Sequence, residues 1–213
     1  MEVRIPEYVE AFIFDLGEVI VNLTPDRVLT GFSRHTKVEK DQIEKILTGH
    51  PVFFDYETGK ISDEEFVDAV NQLLNMEVSV YDFEAIWNSM LGEIPLRKLQ
   101  LLEHLSTTHK TLVLSNTNEM HERGFDEIVR AITGGRIMSE FVQHAYYSHK
   151  LGRRKPNVDA FEYLVDTHGL NPLTTVFFDD KKENVDTAIA LGIKSVHLKN
   201  PNQLYEYFGL SID

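Results

Sequence analysis

The chain has 213 residues, 42% hydrophobic and 26% charged, the composition of an ordinary soluble globular protein with one core and a small inserted module. Lys and Arg total 21 against 34 Asp and Glu; the formal net charge of −13 repels nucleic-acid phosphates and excludes general DNA or RNA binding, though a small phosphate can be held where a cation and local donors neutralise it. The absence of cysteine removes disulfides, CxxC redox chemistry and thiolate metal sites, while the charged, proline-bearing N-terminus and the lack of an apolar run near ~18 residues predict no secretory signal, no membrane span and a cytoplasmic protein.

Ala11-Phe12-Ile13-Phe14 is a short apolar run that stops at Asp15, the pattern of a buried parallel strand. From about Thr24 to Glu93 the pattern turns helical. Phe66, Val70, Leu73 and Leu74 keep one face, and Phe83, Ile86, Trp87, Met90 and Leu91 another. Ser62-Asp63-Glu64-Glu65 predicts a capping box, and the charged run Lys37–Lys45 a solvated helix face. Thr111–Leu114, stopping at Ser115, predicts a second strand, followed by His144–Tyr147, Thr175–Phe178, which stops at Asp179, and Lys194–Leu198. Between the later strands, Phe161, Leu164 and Val165 precede a Gly169 stop, and Val185, Ala188 and Ile189 precede Gly192. Strands alternating with amphipathic helices predict an α/β, Rossmann-like doubly wound parallel sheet, with an all-helical insertion after the first strand. The expected division is a core of residues 1–23 and 94–213 with a helical module over 24–93.

Ligands of such sheets bind beyond the carboxyl ends of the strands. Asp15 there is a candidate nucleophile, and Gly17 lets backbone approach a phosphate; Asp15 alone fits a strand-ending turn equally well. Ser115-Asn116-Thr117-Asn118 offers hydroxyls and amides to phosphate oxygens, or simply caps a helix. Lys150–Pro156 is a local basic cluster in an acidic chain, suited either to a phosphate or to solvent. Asp179-Asp180 is more telling, because adjacent carboxylates at a strand end are costly without a cation, and hard oxygen ligands favour Mg²⁺.

In this order the motifs resemble those of the haloacid dehalogenase-like hydrolase superfamily across essentially the whole chain. The likeness is greatest to its bacterial alpha-D-glucose-1-phosphatase branch, through Phe14-Asp15-Leu16-Gly17, Gly59-Lys60-Ile61-Ser62-Asp63-Glu64, Leu114–Asn118, Arg154-Lys155-Pro156 and Phe177–Asp180. The resemblance implies a Mg²⁺-dependent phosphatase acting on small phosphate monoesters, sugar phosphates among them, through an aspartyl-phosphate on Asp15. It assigns catalysis to Asp15 and Lys155, phosphate binding to Ser115, Asn116, Lys155 and Gly17, and the metal to Asp15, the Gly17 carbonyl and Asp180. Asp179 and Asn184 support the site. The helical insertion corresponds to a C1-type cap, for which Phe53, Phe54, Tyr56 and Glu57 are candidate substrate-facing residues. The implied partner is a small phosphorylated metabolite, with no obligate protein partner.

One position departs from the superfamily pattern. Where most of its phosphatases carry a second Asp two residues after the nucleophile, as general acid/base, this chain has Gly17. Glu18, ordered water or a substrate hydroxyl then remain as proton sources, with water favoured. The rival readings are a metal-independent 2-haloacid dehalogenase, against which Asp179-Asp180 speaks, and a non-catalytic phosphate-binding protein, which Gly17 motivates. The nine histidines lack metal-ligand spacing and read as surface or core residues, and Trp87 as packing within the insert.

Overall fold

The computed structural model of the protein describes residues 3–211. In chain order its helices and strands are β1 (Ala11–Phe14), α1 (Asp26–Phe32), α2 (Lys40–Leu47), α3 (Pro51–Glu57), α4 (Asp63–Leu74), α5 (Val80–Asn88), α6 (Leu96–Ser106), β2 (Lys110–Ser115), α7 (Glu119–Thr133), β3 (His144–Tyr147), α8 (Ser148–Leu151), α9 (Val158–His168), β4 (Thr175–Asp179), α10 (Lys182–Ala190), β5 (Lys194–His197) and α11 (Gln203–Tyr207). The five strands form one parallel sheet in the order β3-β2-β1-β4-β5. The predicted doubly wound α/β core is therefore present.

Side chains alternate across a strand, so each strand supplies both faces. Phe12, Phe14, Val113, Val176 and Phe178 pack with residues of α6, α7 and α11 on one side. Ala11, Ile13, Leu112, Leu114 and Phe177 pack with α9 and α10 on the other. Both faces are covered, which is why the strands read as continuous apolar runs. One expectation needs correcting: Val185 and Ala188 of α10 are buried, but Ile189 is 54% exposed, one step off the face that meets the sheet.

Helices α1–α5 carry a separate apolar cluster around Phe32, Phe66, Val70, Leu74 and Phe83, with Trp87 packed against it. The capping box is formed: Ser62 Oγ accepts from Glu65 N, and Glu65 Oε2 accepts from Ser62 N at 2.8 Å. Gly59, at φ +68°, lies so close to the His149 carbonyl that a Cβ would stand 2.1 Å from its oxygen. Only glycine lets the α3–α4 turn seat there.

Candidate active site

Asp15 and Asp179 are brought together by register. Phe14 pairs with Phe178 across β1 and β4, and Asp15 N donates to the Phe178 carbonyl at 2.9 Å. Central β1 is flanked by β2 and β4, where the chain crosses from one half of the sheet to the other, so the carboxyl ends of these strands form the switch-point crevice. Asp15, Asp179 and Asp180 place carboxylate oxygens within 4.8 Å of one another.

The Lys155 side chain, fully buried, lies between the first two. Its Nζ is 3.0 Å from Asp15 Oδ1 and donates to Asp179 Oδ2 at 2.6 Å. Burial pulls the ammonium down, but the two carboxylates outweigh it, and the net shift is upward. Burial raises Asp15 to about 6; Lys155 opposes the rise, and Asp179 and Asp180 add to it. Asp180 is also raised, by burial first and by Asp179 second.

Three carboxylates and one ammonium leave two formal negative charges, and the donor set is all hard oxygen, which fits a divalent cation such as Mg²⁺. Asp179 is already saturated, since it also accepts from Lys181 N at 2.8 Å and from Asn184 Nδ2 at 2.9 and 3.0 Å. Asp15 Oδ2 and the Asp180 carboxylate receive no side-chain hydrogen bond among the described residues, and are the oxygens free to coordinate or react.

Ser115 ends β2 at 3% exposure and lines an adjoining cavity of about 220 Å³. Asn116 clamps the Lys155 main chain, its Nδ2 donating to the carbonyl at 2.7 Å and its Oδ1 accepting from the N–H at 2.9 Å. The Asn116 side chain thus fixes the lysine main chain, and Asn116 also lines the cavity. Gly17 lines the same cavity. Glu18 does not: at φ +54°, its carboxylate accepts from Leu23 N at 2.6 Å, within the turn after β1.

Sequence reasoning missed several supports. Ser148 Oγ accepts from Thr117 N at 3.0 Å and donates to Thr117 O at 2.9 Å, pinning the loop after β2. His197 Nε2 hydrogen-bonds the Asp180 carbonyl at 2.9 Å. Both stand at carboxyl ends of strands, so the polar-residue-at-strand-end rule applied to β3 and β5 finds them. Asn118 caps α7 and accepts from His121 N at 3.0 Å. Its Nδ2 donates to His121 Nδ1, which leaves Nε2–H to face the Trp87 carbonyl at 3.3 Å. The ring is held neutral by burial, its pKa down to about 4, and stacks on Trp87 at 5.0 Å. Trp87 packs within the insert as expected, and it also lines the cavity.

The scattered histidines contain one grouping that spacing does not reveal, His149 with Glu119 and Glu122. Lys150 Nζ already donates to Glu122 at 2.6 Å and His149 Nε2 lies 2.9 Å from the same carboxylate, so cationic and polar partners occupy it.

No family model matches the chain. A D-ribitol-5-phosphate phosphatase of Bacteroides thetaiotaomicron is 26% identical over 194 residues, covering 90% of this chain and 93% of that protein. A HAD family enzyme from the same organism, solved in complex with magnesium and inorganic phosphate, is 28% identical, with a TM-score of 0.79 over 90% of this chain and 95% of that one. In sequence and in fold the chain is similar to haloacid dehalogenase-like hydrolases. A predicted HAD-like family hydrolase from Porphyromonas gingivalis is similar to the same degree, 28% identical with a TM-score of 0.81, covering 89% of this chain and 91% of that one. This likeness agrees with the placement of Asp15, Lys155 and Asp179-Asp180 at adjoining strand ends. No helix among the described residues is long and apolar enough to cross a membrane.

Proposed function

We propose that this chain is a Mg²⁺-dependent phosphatase that hydrolyses small polyhydroxy phosphomonoesters through an aspartyl-phosphate on Asp15. The observation that carries the reading is the buried Asp15–Lys155–Asp179 array, with Asp180 beside it and a cavity opening over Gly17 and Ser115. The sequence likeness points to a cyclic sugar 1-phosphate, and the similar Bacteroides protein is named for the phosphate of an open-chain pentitol. Both are small polyhydroxy esters, and a cavity of about 220 Å³ is below the ~300 Å³ at which drug-sized sites begin.

Asp15 Oδ2 attacks phosphorus, the bond to the leaving alcohol breaks, and that oxygen takes a proton from an ordered water. Water then attacks the acyl phosphate, releasing inorganic phosphate and restoring Asp15. Lys155 holds Asp15 in place and offers positive charge to the transferring group, while the Ser115 hydroxyl faces the phosphate; positioning supplies much of the rate. Mg²⁺ held by Asp15, the Gly17 carbonyl and Asp180 would screen the approach of an anionic nucleophile to an anionic ester. Residues 24–93 act as a cap that excludes bulk water and selects the leaving group.

Phosphate release from an aryl phosphate and from small sugar phosphates is expected to require Mg²⁺ and to stop on chelation. At one hundred times its dissociation constant the ion adds about 2.7 kcal/mol, or roughly 5–10 °C in Tm for a chain of this size. Asp180→Asn should shrink both responses. Full activity after thorough chelation would sink the mechanism.

Glu18 is tied to Leu23 N, so Glu18→Gln is expected to change aryl and sugar phosphate turnover little. A Cβ at Gly17 would meet only the Leu23 side chain, with Cδ1 nearest at 3.0 Å, which can give way. Gly17→Asp is therefore expected to raise sugar phosphate turnover at least ~10-fold relative to aryl phosphate, since general acid catalysis is typically worth about 10²–10⁴. A large loss in Glu18→Gln confined to the sugar ester would make Glu18 the acid instead.

A further inference from the structure

Resting on the phosphatase reading, we infer that Glu57 selects the leaving group, accepting a hydrogen bond from a hydroxyl of the alcohol. Glu57 is the last residue of α3, on the insert, and it lines the cavity that opens over Ser115 and Gly17. It is the one carboxylate among the residues lining that cavity. Arg154, next to Lys155, holds it in place, with guanidinium nitrogens 3.1 and 3.0 Å from Glu57 Oε2. The same guanidinium lies over the Phe54 ring, 4.6 Å from its centroid, so Phe54 steadies the arginine and is not itself a wall of the cavity.

The pairing consumes only one carboxylate oxygen. Glu57 Oε1 accepts no hydrogen bond among the described residues, so a fixed, charged acceptor is left at the cavity. The other titratable groups lining the cavity are unsuited to that task. Tyr56 donates its hydroxyl to Asp63 at 2.6 Å, both ring nitrogens of His121 are engaged, and Lys181 is a donor. A polar acceptor built for a substrate hydroxyl discriminates strongly against an analogue that lacks it, because the acceptor is then desolvated without a partner. The site should therefore prefer a polyol phosphate to an alkyl phosphate of the same carbon number.

A latch between insert and core is the competing role for the Glu57–Arg154 pair, and it makes a different forecast. The test measures kcat/KM for a pentitol phosphate and for n-pentyl phosphate, with Mg²⁺, in wild type, Glu57→Gln and Glu57→Leu. The ratio is taken within each protein, so it does not depend on the folded fraction. Wild type is expected to favour the pentitol ester. Glu57→Leu should lower the ratio about 10–100-fold, the range for a hydrogen bond to a charged group, with Glu57→Gln intermediate because its amide oxygen still accepts. A ratio within about threefold of wild type in both variants, with both esters slowed alike, overturns the specificity role in favour of the latch. If wild type hydrolyses neither these esters nor an aryl phosphate, the phosphatase reading itself fails, and this inference with it.

Discussion

Asp15→Asn is expected to reduce turnover of every phosphate ester below about one ten-thousandth of wild type, since an amide cannot form the acyl phosphate. The metal-free fold should survive intact. In the folded protein the Asp15 carboxyl is raised from 3.8 to about 6, with burial the largest cause. A raised carboxyl favours the folded state while protonated and loses that advantage as pH rises through about 6, so the ionised form is a liability at neutral pH. Replacing it by a neutral isostere is thus expected to leave the metal-free Tm equal to or above that of wild type. Steady-state rates, acid-quenched phosphoprotein and thermal melts without metal check the three parts. Near-normal turnover would place the nucleophile elsewhere, and a marked fall in Tm would show that Asp15 is primarily a structural partner of Lys155.

Lys155→Ala is expected to damage both chemistry and stability. It removes the ammonium 3.0 Å from Asp15 and 2.6 Å from Asp179, leaving three carboxylates within 4.8 Å with only Asn184 and main-chain N–H as compensation. Breaking a buried ion pair typically costs about 3–5 kcal/mol, and each kcal/mol moves Tm by roughly 2–4 °C in a chain of this length. The melt should fall by about 10 °C or more, and Mg²⁺ should recover part of it by neutralising the same carboxylates. Turnover should fall about 10²–10³-fold in the protein that remains folded, as for a lost electrostatic stabiliser. A variant that loses activity with an unchanged Tm would argue that Lys155 is not the counterion of this array.

Much of the fold was legible because its signals are local. Phe12-Ile13-Phe14-Asp15 and Val176-Phe177-Phe178-Asp179 announce buried strands ending in carboxylates, and alternation with helices then predicts a parallel sheet. The Ser62–Glu65 capping box is equally local, being closed by residues three apart. Ile189 misled because a helical face is judged from spacing alone, whereas the edge of the packed stripe depends on how the helix is rolled against the sheet.

The residue types for the chemistry were present in the motifs, but their division of labour was not. Asn116 reads from its motif only as a phosphate donor, and its side chain also clamps the Lys155 main chain across an interval of 39 residues. Ser148 and His197 look ordinary until β3 and β5 bring their ends to the same edge. Glu57 and Arg154, 97 residues apart, meet where the α3–α4 turn seats Gly59 against the His149 carbonyl. Strand type, helix caps and the placement of acids at strand ends follow from neighbours along the chain, where periodicity and propensity operate. That Asp179 is saturated, which carboxylates stay free, and which insert residue faces the cavity follow from contacts between distant segments. Those depend on register and packing, which local pattern does not encode.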